Sequence, residues 1–279
     1  VIKKLSKDYT IKLFITEIII VLCSLAIVVP LLMVVFGSFK SAADASQFNI
    51  SFPSTWLFDN YNEVLKESNT VRALSNSVII TTVVVGVNIF IGTPCAFVIA
   101  RNNSKYTRFL ESYFILGIIV PLSLIPSLFL MKYLHLLGSI QGIILLYIGI
   151  RVPWVMFLCV GFIKGIPREL DEAAVVDGCS NPLLLFYKII FPLLKPIVVT
   201  CIIISAMGAW NEFQLPLYFL SSSKNTTMPM TVYWFFGQYS TKWNLVFANL
   251  VLIAVPVIIL YLFCQKYIVS GMTSGAVKS

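Results

Sequence analysis

The stretch Glu169-Leu-Asp-Glu-Ala-Ala-Val-Val-Asp-Gly178 gathers four of the chain's twelve carboxylates, in a protein otherwise made of long apolar runs. Its pattern is helical. Glu169, Asp171 and Glu172 complement the positive end of a helix, and Pro167 fits the first position, where no N–H is needed. Leu170, Ala173, Ala174 and Asp177 recur at i, i+3, i+4 and i+7 and share one stripe, with alanines that permit close approach. Gly178 can adopt the left-handed conformation that ends a helix. Ser180 or Asn181 before Pro182 restarts one, leading through Leu183 to Ile190 and Pro192. The sequence therefore predicts two short helices joined by a glycine elbow. An ordinary amphipathic connector has the same pattern, so the meaning of the elbow depends on its surroundings.

Those surroundings are membrane-like. Of 279 residues, 58% are hydrophobic and 11% charged, with a mean hydropathy of +0.92, far more apolar than a soluble domain. Charge is excluded from runs of about 20 residues or more, enough to cross a bilayer core as a helix. Six spans are expected at approximately 14–39, 74–100, 109–131, 140–163, 193–213 and 246–267, with the acidic loop at 164–192 and a longer polar loop at 214–245. The fold class is all-α: a polytopic protein of six transmembrane helices, one domain over residues 1–279, embedded in the lipid of the plasma (inner) membrane. The first run opens on Lys3, Lys4 and Lys7 as a signal peptide does. Its apolar part is too long for a cleaved segment and reads as a retained anchor, and the start at Val1 implies a removed initiator or a trimmed start.

The net charge of +8 describes orientation rather than a nucleic-acid surface, because the basic residues cluster at the ends of apolar runs. With the N-terminus in the cytoplasm, thirteen Lys and Arg residues lie inside, against six outside (Lys40, Lys66, Arg72, Lys132, Lys224 and Lys242). This bias places both termini and the acidic loop in the cytoplasm. Pro30, Pro94, Pro121, Pro126, Pro153 and Pro256 are expected to interrupt nearly every span.

Candidates for chemistry are few. There is no Walker A pattern and no Gly-Lys pair, so the chain does not hold nucleotide by the P-loop mechanism. His135 is the single histidine, and the six cysteines show no metal spacing; no catalytic residue, bound cofactor or metal site is expected, and the thiols read as free. Arg151, near the middle of the fourth span, is the sharpest pathway candidate, since a lipid-exposed arginine there costs about 2.5–3.5 kcal/mol. A structural ion pair with Glu212 is its alternative. Tyr147, Trp154 and Trp210, with Asn211 and Glu212, have the chemistry to stack on and hydrogen-bond a sugar, although aromatics at span ends also serve as interfacial anchors. Two function classes remain: a transport component moved by a separate engine through the acidic loop, and a secondary transporter or channel for a small solute. The second usually places more ionisable groups at mid-membrane than Arg151 alone.

Glu172-Ala-Ala-x-x-Asp177-Gly178, followed by Phe186, Ile189, Pro192 and Pro196, resembles the EAA loop of ABC importer permeases. Three further stretches are similar to carbohydrate-uptake permeases of the type of the smaller membrane subunit of the maltose importer: Gly165-x-Pro167-x-Glu169-Leu, Trp210-Asn-Glu-Phe213 and Gly271-Met-Thr-Ser-Gly275-Ala-Val-Lys278. The resemblance runs from Lys40 and Asn60-Tyr61 onward. It implies a permease subunit of a binding-protein-dependent importer for a carbohydrate, an oligosaccharide. Glu172, Ala173, Ala174, Asp177 and Gly178 would couple to a cytoplasmic ATPase dimer, which uses the ATP and Mg, and the tail around Gly275 would reach the same dimer. A second homologous permease subunit and an extracytoplasmic substrate-binding protein, touching the 214–245 loop, would complete the complex.

Overall fold

The computed structural model describes residues 7–67, 69–220, 223–236 and 241–276. In chain order the helices are α1 (Lys7–Gly37), α2 (Ala42–Ala45), α3 (Asp59–Glu67), α4 (Thr70–Arg101), α5 (Lys105–Ile119), α6 (Leu124–Tyr133) and α7 (Ile140–Lys164). They continue as α8 (Glu169–Val176), α9 (Pro182–Leu185), α10 (Phe191–Leu193), α11 (Lys195–Trp210), α12 (Gln214–Phe219) and α13 (Trp243–Ala276). A π-helical turn, Phe186–Ile190, joins α9 to α10. No strand occurs among the described residues, only an isolated bridge between Phe236 and Thr241.

Four helices cross a membrane by length and composition alone: Leu13–Gly37 within α1, α4, α7, and Trp243–Gln265 within α13. Two bent pairs pass the same test only together, α5 with α6 at 115° and Pro182–Leu193 with α11 at 80°, which brings the count to six if each pair is one span. The expected span at 109–131 is therefore not one straight helix. Val120 is extended (φ −75°, ψ 117°), as the residue before a proline must be, and Pro121 follows the end of α5. The expectation that prolines interrupt nearly every span holds at this one. Pro30, Pro94, Pro153 and Pro256 lie inside continuous helices, and Pro126 occupies the first turn of α6, where a donor is not required.

The chain divides into two compact units, Val1–Thr70 with Val232–Ala254, and Val71–Thr231 with Val255–Ser279. In the first, α1 leaves its apolar side chains exposed, while the segment after it is ordered by polar contacts. Asn60 Nδ2 donates to the carbonyls of Ser38 and Lys40 (both 2.9 Å), and Asn244 Nδ2 donates to Asn60 Oδ1 (2.8 Å). Lys40, only 3% exposed, is satisfied by the Asn49 carbonyl, Asn49 Oδ1 and Ser51 Oγ. A Cβ at Gly37 would run into the Phe247 ring, so glycine lets α1 and α13 approach there. The polar stretch after α1 is thus held in place by these contacts.

In the second unit α4 and α7 run in the same direction. Ile80 and Ile143 share one buried cluster, a Cβ at Gly92 would strike Val155, and Arg101 Nη1 donates to the Ile166 carbonyl (3.0 Å) just beyond the end of α7. Because the two helices run parallel and end level, α5 and α6 must carry the chain back across between them. α11 runs the opposite way: Val198 and Cys201 lie in the cluster with Ile163, and Ala209 lies in the cluster with Ile80. The 16 residues of α11 reach roughly 24 Å at the α-helical rise. The following loop is strapped down. Asn76 Nδ2 donates to the carbonyls of Lys224 (3.1 Å) and Thr226 (2.9 Å), Ser77 Oγ accepts the Met228 N–H (2.8 Å), and Asn225 Nδ2 donates to the Gly138 carbonyl (2.6 Å). Ser221, Ser222 and positions 237–240 of this loop lie outside the described residues.

Candidate functional site

The acidic stretch forms α8, and the elbow has the geometry its sequence predicts. Gly178 sits at φ +92°, the Gly178 N–H bonds to the Val175 carbonyl (3.0 Å) and the Cys179 N–H to the Ala174 carbonyl (2.9 Å). This pair of bonds is a Schellman motif, which satisfies the last carbonyls of α8. Asn181 Oδ1 then accepts the Leu183 N–H (2.9 Å) and caps α9, with Pro182 in its first turn. α8 itself starts at Glu169, with Pro167 just outside rather than at the first helical position.

One side of the elbow is buried and the other is free. Ala174, Leu185, Phe186, Ile190 and Leu194 join Phe97, Ile163 and Cys201 in a single core, with the Phe97 and Phe186 rings 5.4 Å apart. Glu172, Ala173, Asp177 and Gly178 are exposed, together with Leu170, Val175 and Val176, the last at 86%. The expected stripe therefore splits: Ala174 packs inward, while Leu170, Ala173 and Asp177 stay outside. An apolar and acidic face that its own chain leaves uncovered is a docking surface in form.

An ion pair unforeseen in the sequence fixes the elbow to the spans. Arg101, at the end of α4, places Nε 2.6 Å from Asp171 Oδ2 and donates from Nη2 to Asp171 Oδ1 (3.1 Å), with both side chains largely buried. Its Nη1 holds the Ile166 carbonyl, and Arg168 donates to the Arg101 carbonyl (3.3 Å). The ion pair and the Nη2 hydrogen bond, with the Nη1 bond to Ile166, tie α8 to the ends of α4 and α7 at once. In the sequence, Arg101 counted only toward orientation and Asp171 only toward the helix dipole.

The pathway candidates differ in exposure. Tyr147 and Trp210 are buried at 1% and 6% exposure, Trp154 is half-exposed, and Asn211, the C-cap of α11, is exposed. Arg151 is half-buried, with its guanidinium carbon 5.6 Å from the centre of the Tyr147 ring. The ion pair with Glu212 is not formed: Glu212 Oε1 instead accepts the N–H groups of Gln214 (3.1 Å) and Leu215 (3.3 Å). Gly275 lies in the continuous α13, and Lys278 falls outside the described residues.

A bundle of apolar spans carrying an exposed elbow on one end defines a membrane transport component. Residues 88–274 match the family described as binding-protein-dependent transport system inner membrane component, and the chain belongs to that family. It is similar to the multiple sugar-binding transport system permease protein MsmG of Streptococcus mutans, with 36% identity over 98% of this chain and 100% of that one. It is also similar to the probable starch degradation products transport system permease protein AmyC of Thermoanaerobacterium thermosulfurigenes (31%, 92% of this chain and 94% of that one). The melibiose/raffinose/stachyose import permease protein MelC of Bacillus subtilis is 32% identical over 90% and 91%. Among solved structures, a bacterial ABC transporter involved in import of the acidic polysaccharide alginate shares the fold, with a TM-score of 0.84 at 22% identity over 95% of this chain and 99% of that chain.

Proposed function

We propose that this chain is a permease subunit of an ATP-driven, binding-protein-dependent importer for a carbohydrate of oligosaccharide size. The observation that carries the reading is the elbow, buried against the spans on one side, bolted to them by Arg101 and Asp171, and open on the other. The sugar and oligosaccharide systems to which the sequence relatives belong support the cargo class. The exposed residues Glu172, Ala173, Asp177 and Gly178 dock in a cleft of a separate cytoplasmic ATPase, and Ala174 anchors the helix from behind. Closing of two ATPase subunits around ATP and Mg draws this elbow toward that of a second permease subunit, and access flips from one side of the membrane to the other. A binding protein delivers the sugar at the 214–245 loop, and the tail at Gly275 adds a second ATPase contact.

The test is reconstitution of the complex in proteoliposomes with its binding protein and a panel of oligosaccharides. Uptake is expected to require internal ATP and to survive a protonophore. Uptake by this chain alone, or uptake abolished by the protonophore with ATP present, overturns the reading. Glu172→Lys, on the exposed face, is expected to leave the protein in the membrane and to abolish uptake.

A further inference from the structure

Of the buried polar groups in the second unit without a hydrogen-bond partner, three lie at one level of the helices. Asn88 on α4 is fully buried, and neither its Nδ2 nor its Oδ1 makes a hydrogen bond. The Tyr147 hydroxyl and Arg151 Nε are likewise buried and unpaired. The offset of 63 positions that brings Gly92 against Val155 also carries Asn88 to Arg151, so these two lie at one level of the α4–α7 pair. Tyr147 is one turn away, with its ring beneath the guanidinium. α11 closes the third side. A Cβ at Gly208 would occupy the place of the guanidinium, so this glycine makes the room that Arg151 fills.

The chemistry of this cluster is lopsided. Its donors are the Arg151 Nε–H, the Asn88 amide N–H groups and the Tyr147 hydroxyl; its acceptors are only Asn88 Oδ1 and the phenol oxygen. None of the ion pairs among the described residues includes Arg151. Glu212 acts on Arg151 and Tyr147 electrostatically without forming an ion pair, its Oε1 accepting the N–H groups of Gln214 and Leu215, so it offsets the charge only from a distance. A positive charge inside a span is costly unless an anion compensates it, and orphaned buried polar atoms mark a site awaiting a partner. Water would satisfy the hydrogen bonds and leave the charge with no anion in direct contact.

We propose that Arg151, backed by Asn88 and Tyr147, forms an anion subsite at mid-membrane that receives a carboxylate, sulfonate or phosphate group carried by the transported saccharide. The proposal rests on the carbohydrate-import reading and adds the charge class of the cargo. Arg151 is the half-buried face that the ligand meets; Asn88 and Tyr147 lie deeper and complete the donor set.

The probes are glucuronate, glucose and inorganic sulfate, titrated calorimetrically into the solubilised complex isolated through a tag on this chain and freed of binding protein. Glucuronate is expected to bind at least tenfold more tightly than glucose. Arg151→Gln is expected to weaken glucuronate by about tenfold or more, the loss for a hydrogen bond to a charged group, and Arg151→Lys to retain part of the binding. Should Arg151→Gln fail to assemble, Asn88→Asp serves instead: it sets a carboxylate beside the guanidinium and is expected to abolish glucuronate binding from within. Equal binding of glucuronate and glucose, no binding of glucuronate, or binding unchanged in the variants overturns the proposal. Binding of sulfate without glucuronate overturns the assignment to the cargo. ATP-driven oligosaccharide uptake by the same complex reports on import separately, so uptake without glucuronate binding sinks the subsite and leaves the import reading standing.

Discussion

Arg101 and Asp171 stand 70 positions apart, and their contact links the elbow to the spans beside the apolar core behind Ala174. Each side chain keeps less than a fifth of its surface exposed, so removing one partner leaves the other charge poorly solvated. The expected cost of Arg101→Leu or Asp171→Asn is on the order of 1–3 kcal/mol, below that of a fully buried pair. We expect coupled uptake to fall by about tenfold with the protein still inserted. The exchange Arg101→Asp with Asp171→Arg should restore only part, because Arg101 also holds the Ile166 carbonyl. Uptake assays on the two single variants and the exchange, read as a double-mutant cycle, check this. If both single variants transport normally, the ion pair is ornament and the elbow is held by its apolar side alone.

Among the elements, the elbow depends on the left-handed backbone of Gly178. Nothing lies near a Cβ built at Gly178, so a side chain there meets no obstacle and the cost is that of the left-handed conformation, roughly 1–2 kcal/mol. Gly178→Val is expected to lower ATP-coupled uptake severalfold, and Gly178→Asn, which tolerates that conformation, to lower it less; uptake rates of the two variants check the order. This element was legible in sequence because its signals are local: acid at the start, glycine at the turn, Asn-Pro at the restart. The six apolar runs were legible for the same reason. The break at Pro121 was not distinguishable from Pro94 or Pro153, since a proline kinks or ends a helix according to what its neighbours can satisfy. Arg101 with Asp171 and Asn88 with Arg151 join residues distant in sequence, and no periodicity carries that information. The closest available signal for the second pair was an asparagine in the middle of an apolar run.

At the scale of the whole molecule, whether the α5–α6 pair crosses the bilayer decides where the elbow emerges relative to Arg101. If α5 and α6 only dipped in and returned, α7 would begin where α4 ends, and the elbow would emerge on the side opposite Arg101. The contacts of Arg101 with Ile166 and Asp171 exclude that arrangement, because they bring the ends of α4 and α7 together. The elbow and Lys224, beyond α11, then lie at opposite ends of the spans, and the excess of basic residues around the elbow makes a cytoplasmic elbow the expected arrangement. In a cysteine-free background, Ala173→Cys is expected to react with an impermeant maleimide only in inside-out vesicles, and Lys224→Cys only in right-side-out cells. Both positions are exposed in the chain, so docking of the proposed ATPase on the elbow is expected to slow the first reaction, and stripping it to restore the rate. Labelling of both positions from the same side would mean that the α5–α6 pair does not cross, and would remove the elbow from reach of any cytoplasmic engine.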